Sequence, residues 1–271
     1  MDKLKNTLKQ YTWVRAIYYK LKPIRFFIKK WRNTLFVTPC FILWPWYVMK
    51  YFAGWIRYSN LPGSEKLSLI NSYPCLYDKT SVTGIDKHYF YQGLWAMKNI
   101  CNIKPDKHVD VGSDNKWVGW LATQIPVVSI DIRPLPVEVD GLECRNGSIL
   151  SLPFNDDSVK SISCLHVVEH VGLGRYGDPF DVKGTEKACQ ELTRVLAIGG
   201  LLYISLPIGK PRVCFNAHRI SDPGSVIEYC EGLTLEEFSV IDDDGIFIEN
   251  TNPLNYGDSY YACGLYIFKK N

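Results

Sequence analysis

Residues 107–131, KHVDVGSDNKWVGWLATQIPVVSID, hold one complete strand–helix–strand unit. Lys107–Gly112 is a short apolar strand that ends in glycine. Lys116–Thr123 reads as a helix, and Pro126–Asp131 is a second apolar strand that ends in an acid. Strands joined through a helix run parallel, because the helix carries the chain back to the edge where the strand began. The pattern continues outward. Leu142–Arg145 is a weak strand, and Ser158–Leu165 is a stronger one with a helical start at His166. Lys183–Leu196 has helical spacing closed by Gly199-Gly200, and Leu201–Leu206 is an apolar strand. Leu233–Ile241 and Tyr260–Phe268 alternate as strands. The expected class is α/β, with a doubly wound, mostly parallel sheet whose ligands sit beyond the carboxyl ends of the strands.

The candidate site residues fall at those ends. Asp110, Gly112 and Ser113 follow the first strand. Gly112 permits a tight turn and a close backbone approach, and Ser113 and the amides after it can donate to a ligand. The loop is not the G-x-G-x-x-G fingerprint, which argues against a bound pyrophosphate. Asp131 can accept both hydroxyls of a ribose, or can serve as an ordinary helix cap. Gly147, Ser148 and Ile149 can supply an amide and a small polar group to an adenine edge, with Ile149 and Ile132 against the ring. His166-Val167-Val168-Glu169-His170 is formally H-x-x-E-H, the inverted zinc-protease signature. It sits at a strand-to-helix corner with no evident third ligand, so no metal is expected and a zinc hydrolase using His166 and His170 ranks last.

The order DVGS, SIDIRP, NGSILSLPF, SISCLHVVEHV, CQELTRVLAIGGLLYISLP resembles class I S-adenosylmethionine-dependent methyltransferases over about residues 105–207. The resemblance implies a seven-stranded sheet of the Rossmann-like type and S-adenosyl-L-methionine as cofactor. It places Gly112 in the glycine loop, Asp131 on the ribose, Ser148 beside adenine and His166 on the methionine side. HYFYQGLWAMKNI (88–100), HVVEHVGLGRYGDPFD (166–181), VCFNAHRI (213–220) and FSVIDDDG (238–245) are similar to a methyltransferase-like family of unknown function first catalogued in Caenorhabditis, with bacterial members near polysaccharide gene clusters. Asp114 departs from the common G-x-G loop. Its carboxylate would repel the carboxylate of the cofactor unless it turns away or meets the cofactor's ammonium.

Methyl transfer to a hydroxyl needs proximity, a dry pocket and a base. The candidate bases are His170, Glu169 and His218. Arg175, in the loop Gly172–Asp178, can grip a sugar carboxylate or phosphate, or merely pair with Asp178, and Tyr176 can stack on a sugar ring. Asn216–Arg219 is long enough to close over the pocket as a lid. Tyr89–Gln92 opens a helix that could cap the cofactor. Asp242–Asp244 reads as a solvated turn rather than a calcium loop, because the downstream Glu spacing is missing. The expected activity is O-methylation of a sugar or lipid-linked glycan. The competing expectation is an inactive methyltransferase-shaped scaffold, for which Asp114 is the best support.

Composition adds a location. Residues 1–58 carry twelve Lys/Arg and one acid, whereas residues 59–271 carry nineteen Lys/Arg against 27 Asp/Glu. The basic part is interleaved with aromatics, as in an in-plane amphipathic helix on an anionic membrane, kinked at Pro23. Asn33–Met49 has no charge but contains two prolines, so a shallow segment is favoured over a span. This divides the chain into a basic helical membrane-associated region, 1–60, and a methyltransferase-like domain, 61–271. The protein is expected on the cytoplasmic face of a membrane, peripheral or monotopic. The acidic body argues against nucleic acid. Nine scattered cysteines without a C-x-x-C pair read as buried thiols.

Overall fold

The computed structural model describes residues 44–271 together with Leu21, Ile24, Phe27, Ile28 and Trp31. Most of the expected basic helix, with its kink at Pro23, and residues 33–43 of the charge-free segment lie outside the described residues. The chain divides into two compact units, 1–84 and 85–271.

In the first unit, helix α1 spans Trp44–Ser59. Pro45 lies in its first turn, where a missing N–H breaks no helical bond. None of its residues is buried. One side meets aromatic partners: Tyr51 and Phe52 pack on Trp31, and Tyr47 packs on Tyr77. Trp44, Trp46, Met49 and Ile56 remain exposed. No described helix is long and apolar enough to cross a membrane.

The second unit begins with α2 (Lys87–Ile103), β1 (His108–Val111), α3 (Asn115–Ala122), β2 (Val127–Asp131), β3 (Leu142–Asn146) and β4 (Val159–Leu165). It continues with α4 (Gly184–Val195), β5 (Leu196–Ile208), β6 (Arg212–Cys214), β7 (His218–Ile220) and α5 (Pro223–Tyr229). β8 (Leu233–Ile241), β9 (Phe247–Ile248) and β10 (Ala262–Lys270) complete it. The main sheet has the order β3-β2-β1-β4-β5-β10-β8-β9, and β6 pairs only with β7. β1 to β5 are parallel, and β10 runs antiparallel between β5 and β8.

The sheet therefore has eight strands rather than seven. The eighth arises because Asp242 accepts from the amides of Asp244 and Ile246, and Gly245 takes a φ of +73°. That turn folds Phe247–Ile248 back onto β8. Asp243 is not merely solvated, because it accepts from the amides of Tyr260 and Tyr261, which delays the start of β10 to Ala262. Gly199-Gly200 does not close α4. It lies inside β5, where the pairing with β4 slips from Leu196 to Leu201 and the chain bulges.

Alternation along the strands builds two cores. Leu265 and Ile267 face α2 and α3, with Trp95, Ile100, Trp117 and Leu121. Tyr266 and Phe268 face α4 and α5, with Cys189, Leu192 and Val226. The sheet is thus covered on both sides, as a doubly wound fold requires. Cys164, Cys189, Cys230 and Cys263 are buried within it, whereas Cys101, Cys144 and Cys214 are only half-buried and Cys75 is exposed, so burial holds for about half of the described cysteines.

A buried polar string crosses β1 and β4. His108 Nδ1 lies 2.7 Å from Ser161 Oγ and its Nε2 lies 2.8 Å from Ser163 Oγ. Ser163 Oγ donates to Asp110 Oδ2. Since Ser163 spends its proton on Asp110, it must accept from His108, which puts the imidazole proton on Nε2. Burial pushes His108 down to about 3, so the ring is neutral in the fold. A histidine with a depressed folded pKa stabilises the fold fully above the unfolded value of about 6.5 and loses that contribution as pH falls toward 3. Asp110, raised by burial, acts in the opposite sense, because protonation relieves it. Thermal midpoints measured from about pH 7 down to pH 4 are expected to fall, and to fall less steeply in His108→Gln than in the wild type.

Candidate functional site

The carboxyl ends of β1 to β4 enclose a cavity of about 440 Å³. Gly112 is at its floor with φ +72°, and a Cβ there would lie 3.0 Å from Val167 Cγ1. Gly147 lets the end of β3 close on β2, since a Cβ would lie 2.6 Å from Ile130 Cγ2. Asp131 forms the lip, with Oδ1 accepting from the amide of Arg133 at 2.6 Å. Ile132 and Ile149 line a slot beside Ser148, whose Oγ accepts from the amide of Leu150.

Two residues expected at the cofactor are elsewhere. Asp110 is fully buried and accepts from the Ser113 amide, Trp117 Nε1 and Ser163 Oγ. Period-two alternation explains this. Val109 and Val111 belong to the α4 side of the sheet, so Asp110 points under α3. Ser113 Oγ accepts from the amide of Leu165 and does not line the cavity. Both residues hold the loop from behind. Asp114 is the N-cap of α3 and accepts from the amides of Lys116 and Trp117. Its carboxylate does not line the cavity, so it opposes no ligand there.

After β4 the chain does not enter a helix. His166 takes a left-handed φ of +56°, and Val168–His170 form one 3-10 turn. Such a conformation costs a non-glycine residue on the order of 1 kcal/mol. It swings the His166 ring so that Nδ1 lies 2.8 Å from Glu169 Oε1 and Nε2 lies 3.5 Å from Cys263 Sγ. Burial alone would lower the His166 pKa, but the Cys263 sulfur and the Glu169 carboxylate raise it to about 10. Glu169 is 1% exposed, and its Oε2 is buried with no hydrogen-bond partner.

A second cavity, of about 260 Å³, adjoins the first and shares His166, His170 and Tyr176 with it. Its other walls include His88, Tyr89, Glu169, Arg175, His218 and Tyr261. His170 Nδ1 meets the carbonyl of Ala217, while its Nε2 stays 3.6 Å from Glu169 Oε1. His218 begins β7 with its ring on Tyr261, and burial lowers its pKa. Burial also lowers His88, to about 4, with the nearby His166 adding to the shift.

The wall loop is built from its own backbone. Asp178 accepts from the amides of Gly172, Gly174 and Tyr176 rather than pairing with Arg175. Burial works against its charge, but those amides hold its pKa below the usual range. Arg175 donates to the carbonyl of Ala217 and lies over the ring of Tyr176.

Sequence reasoning brought Gly112, Asp131, Ile132, Gly147, Ser148, Ile149, His166 and His170 to one cavity, and Glu169, Arg175 and His218 to its neighbour. It missed His88, Tyr261, Cys263 and the positioning role of Arg219. Arg219 donates to the carbonyls of Val171 and Asp181 and to Thr185 Oγ1, clamping both ends of the wall loop. Within the proposed cap, Tyr89 stacks on His166, but Gln92 turns inward to accept from Ser205 Oγ and Tyr91 stacks on Phe247.

Residues 138–231 match the model of a family described as a Caenorhabditis protein of unknown function, DUF268. No curated protein matches the chain in sequence. Among solved structures the chain is similar to YcgJ from Bacillus subtilis, at 14% identity and a TM-score of 0.49, over 67% of this chain and 99% of that one. It is similar to the N-methyltransferase NodS from Bradyrhizobium japonicum in complex with S-adenosyl-L-homocysteine, at 14% identity and a TM-score of 0.48, over 73% and 91% of the two chains. A SAM-dependent methyltransferase from Methanosarcina mazei is similar at 17% identity and a TM-score of 0.42, over 62% and 93%.

Arg219→Lys is expected to keep the charge and lose the forked contacts, at about 1–3 kcal/mol. Amide exchange should then accelerate between residues 172 and 181 more than in the sheet. Uniform acceleration across the domain would mean that Arg219 supports the fold as a whole rather than this loop.

Proposed function

We propose that the protein transfers a methyl group from S-adenosyl-L-methionine to a hydroxyl of a sugar or lipid-linked glycan at a membrane surface. One observation carries this reading: a cavity at the strand ends adjoins a second cavity lined by Glu169, whose buried Oε2 has no hydrogen-bond partner.

The first cavity falls in the usual range for small-molecule sites, about 300–1,000 Å³. Gly112 and Gly147 leave room that a Cβ would fill. Asp131 would accept from ribose hydroxyls, Ile132 and Ile149 would flank the base, and Ser148 would meet its edge. S-adenosylmethionine, when bound, supplies a methyl group on an electrophilic sulfonium. The chain supplies the acceptor side. Glu169 Oε2 accepts the acceptor's O–H and takes its proton as the new bond forms. His166 holds Glu169 through Oε1, which leaves Oε2 toward the acceptor. His170, its Nδ1 proton committed to Ala217, presents Nε2 beside the same carboxylate.

The membrane part of the proposal rests on the first unit. Its basic charge and the exposed Trp44, Trp46, Met49 and Ile56 of α1 suit an anionic lipid surface. The resemblance to a family with members near polysaccharide gene clusters points to a glycan acceptor. The scaffold alternative loses its main support, because Asp114 caps a helix.

Calorimetry with S-adenosylhomocysteine is expected to show binding that Asp131→Ala weakens by about 10–100-fold, the loss of a charge-assisted hydrogen bond. Radiolabelled methyl transfer onto fractionated glycan and lipid extracts should fall by about 10²–10⁴-fold in Glu169→Gln, with cofactor binding intact. Absence of heat with the wild type would overturn the cofactor assignment, and undiminished transfer in Glu169→Gln would overturn the base. In flotation assays the full chain should rise with vesicles containing phosphatidylglycerol and should be released at about 0.5 M salt, where charges are screened within a few ångströms.

A further inference from the structure

We propose that His166, Cys263 and His88 form a binding site for a single zinc-class metal ion on the border of the second cavity. Their ligand atoms all lie within 4.8 Å of one another. The site does not depend on the methyl-transfer reading.

Geometry carries the inference. With zinc–nitrogen bonds of about 2.0–2.1 Å and zinc–sulfur bonds of about 2.3 Å, a tetrahedral ion separates nitrogen from sulfur by about 3.6 Å. His166 Nε2 and Cys263 Sγ are 3.5 Å apart. The rings of His88 and His166 are stacked, with centroids 5.6 Å apart and planes 9° from parallel, and each offers a nitrogen within 4.8 Å of the other's and of the Cys263 sulfur. His166 already has the outer partner typical of a metal-bound imidazole. Glu169 Oε1, 2.8 Å from Nδ1, fixes the tautomer and aims Nε2 at the sulfur. Tyr261 stacks on His88 at 5.1 Å and Tyr89 on His166 at 5.1 Å, so both rings are braced.

The donor set agrees. One thiolate and two imidazoles select zinc-class ions over magnesium or calcium, which require oxygen donors. Binding would release the Cys263 thiol proton to solvent. His88 and His166 line the second cavity, so the ion would border it and could polarise a hydroxyl there. The ligand set differs from the H-x-x-E-H expectation, because His170 is tied to Ala217 and does not belong to the cluster.

The test uses the full chain purified without chelator. Elemental analysis should find about one zinc per chain. Protein stripped with a chelator and titrated with cobalt(II) should develop a thiolate-to-cobalt charge-transfer band in the near ultraviolet. Cys263→Ser should abolish the band, and His88→Ala should weaken cobalt binding at least tenfold. His218→Ala should leave both unchanged. Circular dichroism and S-adenosylhomocysteine binding check that each variant folds. The wild-type spectrum alone decides if Cys263→Ser does not fold. No band in folded wild-type protein means that Cys263 and His166 share only a hydrogen bond, and the proposal fails. A band that survives Cys263→Ser also overturns it. Cofactor heat without a cobalt band would sink this site while leaving the methyl-transfer reading standing, and the reverse result would do the opposite.

Discussion

A carboxylate removed from water must be paired, and Glu169 is almost wholly removed. Its pairing shapes the end of β4. His166 adopts a left-handed backbone that few histidines would take, because only then does its ring reach Glu169 three residues on. The tight 3-10 turn follows from the same contact and brings His170 beside the carboxylate as a second imidazole. One oxygen is satisfied and the other is not. An unpaired buried oxygen is a standing destabilisation of about 1–3 kcal/mol. Such a group is completed by a donor from an ordered water or from a ligand. The strain of the His166 backbone and the orphan oxygen thus sit at the same corner, where the two cavities meet.

The frame around that corner is rigid for separate reasons. The string from Ser161 through His108 and Ser163 to Asp110 ties β1 to β4, and Asp110 in turn receives the amide of Ser113 and the indole of Trp117. A polar residue under the glycine turn therefore sets the angle at which β1 hands the chain to α3. On the far wall, Arg219 reaches from the β6–β7 ribbon to both ends of the 172–181 loop. Gly172 and Gly184 complete that closure, since a Cβ at either would lie 2.2 Å from a backbone oxygen.

What was legible in the sequence was local. The β1–α3–β2 unit, the turn at Gly112, the acid at Asp131 and the Gly147–Ile149 stretch each depend on a few consecutive residues, and strand, turn and helix patterns record these directly. Asp110 and Ser113 were placed at the ligand because they flank Gly112 in sequence. The alternation of a strand sends Asp110 to the other face, which is decided by which side of the sheet α3 covers. His88, Tyr261 and Cys263 carry no local signal. They meet His166 because β10 inserts between β5 and β8 and because the N-terminus of α2 lies over the end of β4, and both are facts of topology. The extra strand was hidden for a related reason. A two-residue β9 has no periodicity to read, and its existence rests on the side chain of Asp242.

Under the proposed methyl-transfer reading, the charges of the second cavity bear on which acceptor it would suit. Asp86 and Glu169 face it with Arg175 and the His166 imidazole, so acids and cations nearly balance. Arg175 lines the cavity with one guanidinium nitrogen donating to the carbonyl of Ala217 and with its plane over Tyr176. An anionic group would meet the Glu169 carboxylate at close range with little excess positive charge to offset it. A neutral polyol would meet a mixed lining of Glu169, His170, Tyr89 and Tyr261, with the ring of Tyr176 for its apolar face. On that proposal, a neutral hydroxyl would meet less opposing charge at Glu169 than a phosphate would.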